Sequence, residues 1–197
     1  ALDSKDAGRG LFLWAYDPKA YPDVPYDVAD ADRLLDEAGW KMGPGGVRVK
    51  NGVPLDLLLV LQAQTPGDAI VAQVIEQAER AIGARVSLKQ YAITQFVAPA
   101  AMGGPVYGGK FQMALYGFVN GLDPDTTDQF SCARVPPKGY NKSRICDPQI
   151  DALLAAGRAT YDPAKRKAIY AKLERRLYAL MPIVALYQVR QVSAFTD

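Results

Sequence analysis

The sequence predicts an α/β or mixed α+β fold with a central sheet, and three observations carry that expectation. An apolar run at 55–61, a helix-period segment at 68–83 and a second strand-type run at 84–91 follow one another as a βαβ unit. Asn51-Gly52, set between the strand-type runs 47–50 and 53–61, is a two-residue hairpin signal. Two later helices open on Asp-Pro, at Asp147-Pro148 and Asp162-Pro163, an acid at the N-cap with proline at the first helical position. Strands and helices thus interleave along the chain, and this alternation sets the class.

Each element follows from its local chemistry. Residues 1–25 are rich in Gly, Pro and Tyr and read as an irregular lead-in, because Pro18, Pro22 and Pro25 interrupt any regular ladder or helix. Residues 26–197 are expected to form a single α/β lobe. In DVADADRLLDEAGW, Asp27 is the expected N-cap, Ala31, Leu34, Leu35 and Ala38 make one apolar face, and Gly39 stops the helix. The run at 55–61 is nearly continuous in Leu and Val, as a strand covered on both faces requires. The helix after it aligns Val71, Val74, Ile75, Ala78 and Ile82, and its crossover to the next strand is expected to be right-handed. A strand is expected at 111–118. The last helix carries Ile169, Leu173, Leu177 and Leu180 as its inward stripe, Pro182 ends it, and a final strand follows.

Composition removes several classes of function. The 197 residues carry a net charge of +2, too little for a nucleic-acid partner. There is no histidine, which removes the commonest general base and metal ligand, and two cysteines alone do not make a zinc site. No apolar run approaches the ~18 residues of a membrane span. The chain begins at Ala1 rather than Met, as expected of a processed or excised piece. No cofactor is expected.

The stretch 104–110, Gly-Pro-Val-Tyr-Gly-Gly-Lys, has the spacing of a phosphate-binding loop. Such a loop needs a strand before it and a helix after it, whereas here the order is helix, loop, strand, and Phe111 replaces the metal-holding hydroxyl. It reads as a turn. The acid pairs Asp123/Asp125 and Asp30/Asp32 could serve acid–base chemistry, but their setting suits turns and caps better. Cys132 and Cys146 bracket a Pro- and Gly-containing loop at 133–145. In an oxidising compartment a disulfide would close it, worth about 3 kcal/mol by loop entropy; a reduced, buried pair is the alternative. The segment LYGFVNGLDPD leaves a strand for a turn. Residues just past a strand's C-terminal end commonly line ligand crevices. Tyr116 and Phe118 offer flat apolar surface there, and Asn120 offers an amide. A plain turn is the other reading.

Four stretches together resemble the family 5 extracellular solute-binding proteins of ABC importers, of peptide, nickel and glutathione type. They are YDVADADRLLDEAGW, the run 54–91 ending in AIGARVSLKQY, FQMALYGFVNGLDPD, and the closing segment from CDPQIDALLAAGRATYDPAKRK to ALYQ. The resemblance covers roughly 26–193 in consistent order. It implies the C-terminal lobe of a two-lobed periplasmic-binding-protein-like (type II) fold, α/β with a central mixed sheet flanked by helices, and a missing N-terminal lobe. It further implies a small-molecule or peptide ligand enclosed between lobes by hinge closure, an ABC permease as membrane partner, no catalysis, and a periplasmic or extracellular location, with lipid anchoring of the full-length protein. The ligand contacts it implies are Tyr116, Phe118, Asn120, Gly121 and Asp123. Phe118 stands where the family has tryptophan. Gly121 stands where peptide receptors place the aspartate that pairs with the ligand's α-amino group, with Asn120 and Asp123 nearby. The bracketing Cys132 and Cys146 also resemble the family. Two other classes remain open: an interaction or chaperone-like peptide-binding module, and a hydrolase using an Asp pair.

Overall fold

A computed structural model of the chain describes residues 2–3, 7–65, 67–117 and 120–189. In chain order the elements are β1 (Leu2–Asp3), α1 (Arg9–Phe12), α2 (Val28–Glu37), β2 (Lys41–Met42), β3 (Arg48–Lys50), β4 (Val53–Pro54), β5 (Asp56–Gln62) and α3 (Asp68–Ala81). Then come β6 (Arg85–Tyr91), α4 (Ile93–Phe96), α5 (Pro105–Gly108), β7 (Met113–Leu115), α6 (Thr127–Phe130), α7 (Pro148–Ala159), α8 (Pro163–Leu180) and β8 (Gln188–Val189). They form two compact units, one of residues 26–117 and one of residues 1–25 with 118–197.

The unit 26–117 is built around β5. Its run of apolar residues is covered on both faces, as the sequence requires. Leu59 and Leu61 pack with Ala72 of α3 on one face, while Val60 packs with Phe96 and Val106 on the other. Strands β6 and β7 both run parallel to β5, in the order β6–β5–β7. The expected strand 53–61 divides at Leu55. Pro54 pairs with Val49 in the antiparallel sheet β2–β3–β4, and the chain then enters the parallel sheet at Asp56. Asn51 and Gly52 both take positive φ, 52° and 78°, as a tight hairpin turn demands. The α/β class therefore holds, with the strands shared between a parallel and an antiparallel sheet. The strand expected at 111–118 is shorter, because Gln112 bonds Leu58 through both its backbone N–H and its side-chain Oε1 before regular pairing starts at Met113. The 104–110 stretch forms the short helix α5 and a left-handed Gly109, a turn as read.

One buried cation ties this unit's N-terminal helix to its sheets. Arg48 is 3% exposed, and its guanidinium bonds Asp32 at 2.6 Å, Asp36 at 2.7 Å, and the carbonyls of Trp40 and Ile82. A buried guanidinium is tolerable only when its donors are matched in this way. Asp27 caps α2 by accepting from the Asp30 N–H, as its position predicts.

The second unit corrects the expectation of a lead-in. Prolines keep residues 13–25 out of long elements, yet Leu11, Phe12, Ala15, Tyr16 and Tyr21 are buried in one core with Phe130, Ile150, Leu154, Tyr170, Leu173 and Leu177. The aromatic side chains supply apolar area that an irregular backbone can bury as well as a helix can. On α8 the inward stripe is Tyr170, Leu173 and Leu177, while Leu180 is 40% exposed. Asp147 and Asp162 cap α7 and α8 as their Asp-Pro starts predict. The final strand is confined to Gln188–Val189, paired antiparallel with β1, and its expected remainder lies outside the described residues. Cys132 and Cys146 are bonded, and the loop they close is held from inside by Asn141, whose side-chain N–H groups donate to the carbonyls of Ser131 and Ile145.

Glu174 sits on the inward side of α8 with no exposed surface. Its Oε2 accepts the Asp17 backbone N–H at 3.0 Å, while Oε1 is buried without a partner. Burial is the main force that pushes its carboxyl up from the ordinary 4.5 to about 8, against the opposing pull of the Asp17 N–H. Below pH 4.5 the carboxyl is protonated in both folded and unfolded chains, so its ionisation adds no cost to folding. The cost grows from 4.5 to about 8, where the unfolded chain releases the proton and the folded chain keeps it, and then levels off. In denaturant titrations across this window, the stability of Glu174→Gln relative to wild type rises by several kcal/mol as pH increases. A difference that stays constant with pH would contradict the assignment.

Candidate functional site

The candidate turn begins where the chain leaves β7. Tyr116 lies in the unit 26–117, half-buried against the cluster of Val60, Phe96 and Val106, and its hydroxyl is pushed up by that burial. Phe118 lies outside the described residues. Asn120, Gly121 and Asp123 lie together on one turn of the other unit. The chain passes between the units at 117–118, so the five sequence-predicted residues do not belong to one unit.

The amide of Asn120 is committed to the protein. Its Nδ2 donates to the carbonyls of Gly10 at 2.8 Å and Leu11 at 2.9 Å, and its Oδ1 accepts from Gln129 Nε2 at 2.8 Å. Both donors are thus used, and they satisfy carbonyls in and beside α1. Gly121 and Leu122 stand outside this frame, both exposed, with Leu122 retaining 95% of its surface.

Asp123 carries two kinds of bond. Its Oδ1 accepts the Asp125 N–H at 2.9 Å, a local turn bond. Both its oxygens accept from Arg166 of α8, at 2.7 and 2.6 Å, the bidentate geometry that suits a guanidinium to a carboxylate. The Arg166 guanidinium holds the Asp123 carboxyl below the usual carboxylate range. Arg166 is itself held on every side. Its Nε donates to the Gly157 carbonyl at 2.9 Å, and its planar group lies 5.7 Å from the Trp14 ring and 5.4 Å from the Tyr170 ring. Nothing in the linear sequence pointed to this residue. It stands inside the Lys165-Arg166-Lys167 cluster, forty-three positions from its partner. The only local signal is Tyr170, one turn along the helix, where an aromatic face meets an i,i+4 cation.

The other acids are also spent on structure. Asp125 Oδ1 accepts from the N–H and hydroxyl of Thr127, Asp30 pairs with Arg33, and Asp32 with Arg48. The two acid pairs the sequence offered, Asp30/Asp32 and Asp123/Asp125, are thus engaged in caps, turns and ion pairs. Among the described residues no group of three or more His, Cys, Asp or Glu could hold a metal ion.

Replacing Asn120 tests how far the turn depends on its amide. Asn120→Ala removes the side-chain donor to two part-buried carbonyls and the acceptor for Gln129, and lowers stability by about 2 kcal/mol in urea unfolding. Asn120→Asp lowers it further, because a carboxylate then faces two carbonyl oxygens. A change under about 0.5 kcal/mol for either variant would show that the amide is not structural.

Comparison with known proteins agrees with this architecture. The family described as bacterial extracellular solute-binding proteins, family 5 Middle, matches residues 6–140. A di/tripeptide-binding protein of Pseudomonas aeruginosa is 32% identical over 169 residues, which is 83% of this chain and 29% of the relative. The crystal structure of NikZ from Campylobacter jejuni with Ni(L-His) superposes at a TM-score of 0.80 with 24% identity, covering 95% of this chain and 36% of that one. A periplasmic oligopeptide-binding protein of Thermotoga maritima with bound mannohexaose superposes at 0.77 with 25% identity, covering 95% and 36%. The chain thus spans about a third of the length of the proteins it resembles.

Proposed function

Because the chain belongs to the family 5 bacterial extracellular solute-binding proteins, we propose that it is the C-terminal part of a receptor that captures an oligopeptide or a related small polar solute for an ABC importer. The receptor encloses its solute between lobes, hands it to a membrane permease, and catalyses nothing. It works outside the cytoplasm, with a lipid anchor on the full-length protein, and the closed Cys132–Cys146 bond suits that oxidising setting.

The observation that carries this reading is the preorganised turn at 120–123. Its inner side is fixed by the Asn120 amide and the Arg166 fork, while Gly121 and Leu122 are left open on its outer side. A corner whose conformation is settled before binding spends little entropy when a solute meets it. Gly121, Leu122 and the backbone around them are the contact on this side, with Asn120 and Asp123 bracing them. Closure of the full-length receptor over its solute is a hinge motion between lobes.

A half-site lacks the wall that excludes water from the other side of the solute. Titrated with trialanine by calorimetry, the isolated chain binds roughly a hundredfold or more weakly than the full-length protein. Equal affinity for the two would contradict capture between lobes.

A further inference from the structure

Among the described residues of the unit 1–25 with 118–197, Arg166 is a many-bonded side chain that family membership does not assign. Arg166 meets Asp123 through two bonds, Gly157 through one, and two aromatic faces. Its side chain is 16% exposed, while that of Asp123 is 55% exposed. The carboxylate thus faces solvent at the turn with a cation fixed behind it. Resting on the solute-capture reading above, we infer that Arg166 is the positioning and specificity-determining residue of the 120–123 turn: it locks Asp123 in place and cancels its charge, so that the turn does not select a cationic amine.

The physical case has two parts. A carboxylate that accepts a bidentate guanidinium and a backbone N–H has most of its lone-pair directions in use. A ligand ammonium approaching the remaining directions would also meet the positive charge of Arg166, and like charge near a site works as rejection. The turn then offers the exposed Leu122 side chain and the Gly121 backbone, which read apolar surface and hydrogen-bonding groups rather than charge. The class of solute this side accepts is one whose recognition at the turn does not depend on a charged amine. Lysine would not serve in place of arginine, because a point charge can hold one oxygen of Asp123 but cannot fork across both while also donating to the Gly157 carbonyl.

The test uses the full-length protein and two probes that differ only at the amino end, trialanine and N-acetyl-trialanine, in calorimetry. Wild type binds the two within about threefold of each other. Arg166→Gln, which frees Asp123, favours trialanine by roughly tenfold or more, the worth of one charge-assisted bond, and adding Asp123→Asn removes that preference. A wild-type preference for trialanine that disappears in Asp123→Asn alone would overturn the inference, as would an unchanged ratio in Arg166→Gln. A second measurement needs no solute. Hydrogen exchange of the Asp125 amide, which donates to Asp123 Oδ1, speeds up by about tenfold or more in Arg166→Gln and in Arg166→Lys, while the α7 amides keep their rates and show that the fold is intact. Wild-type exchange in both variants, or equal acceleration in α7, would overturn Arg166 as the residue that sets the turn. If neither probe binds wild type while the local exchange response is present, the peptide-capture reading fails and the positioning role of Arg166 stands.

Discussion

A planar cation lying 5.7 and 5.4 Å from two ring centroids joins four stretches of chain. Trp14 comes from the irregular N-terminal segment, Asp123 from the turn after Asn120, Gly157 from α7, and Tyr170 from α8, and all four meet at the Arg166 guanidinium. Arginine can do this because its five donors lie in one plane, so edge bonding and face stacking do not compete. The Asn120 amide acts in parallel on the same turn, tying it to the carbonyls of Gly10 and Leu11. Segments with almost no regular structure are thereby held as firmly as helices are. The turn is rigid because of side-chain bonds, not because of a ladder.

The other unit reaches stability by a different route. Strand β5 is buried on both faces, so its Leu and Val side chains contribute twice over, to α3 on one side and to Phe96 and Val106 on the other. Arg48 then satisfies two aspartates and two carbonyls at the base of α2. Both units thus use one arginine to fix a segment that packing alone would leave loose, but only one of the two arginines adjoins the turn at 120–123.

Much of the fold was legible in the residues. The βαβ unit, the Asn51-Gly52 turn, the Asp-Pro helix starts and the Cys132–Cys146 bond all depend on chemistry within a few residues or on one closed loop. What could not be read depends on distant partners. Residues 7–25 looked like a lead-in because prolines report on backbone regularity and say nothing about where Phe12 and Tyr21 are buried. The inward stripe of α8 includes Tyr170 and the buried Glu174 rather than Leu180, since a hydrophobicity pattern cannot foresee a buried acid. The turn after β7 could be located in the sequence, but the bonds its side chains make could not be read there. Asn120 and Asp123 look like free ligand groups until Gly10, Leu11 and Arg166 are seen to use them.

The account depends on Asp123 and Arg166 acting as one unit and not as two independent surface charges. A double-mutant cycle on stability, using Asp123→Asn, Arg166→Gln and the pair together, measures that coupling directly. A bidentate, stacked pair gives a coupling above about 1 kcal/mol, beyond the usual worth of an exposed ion pair. Effects that add to within about 0.5 kcal/mol would mean the two residues do not act together. The turn would then have no lock.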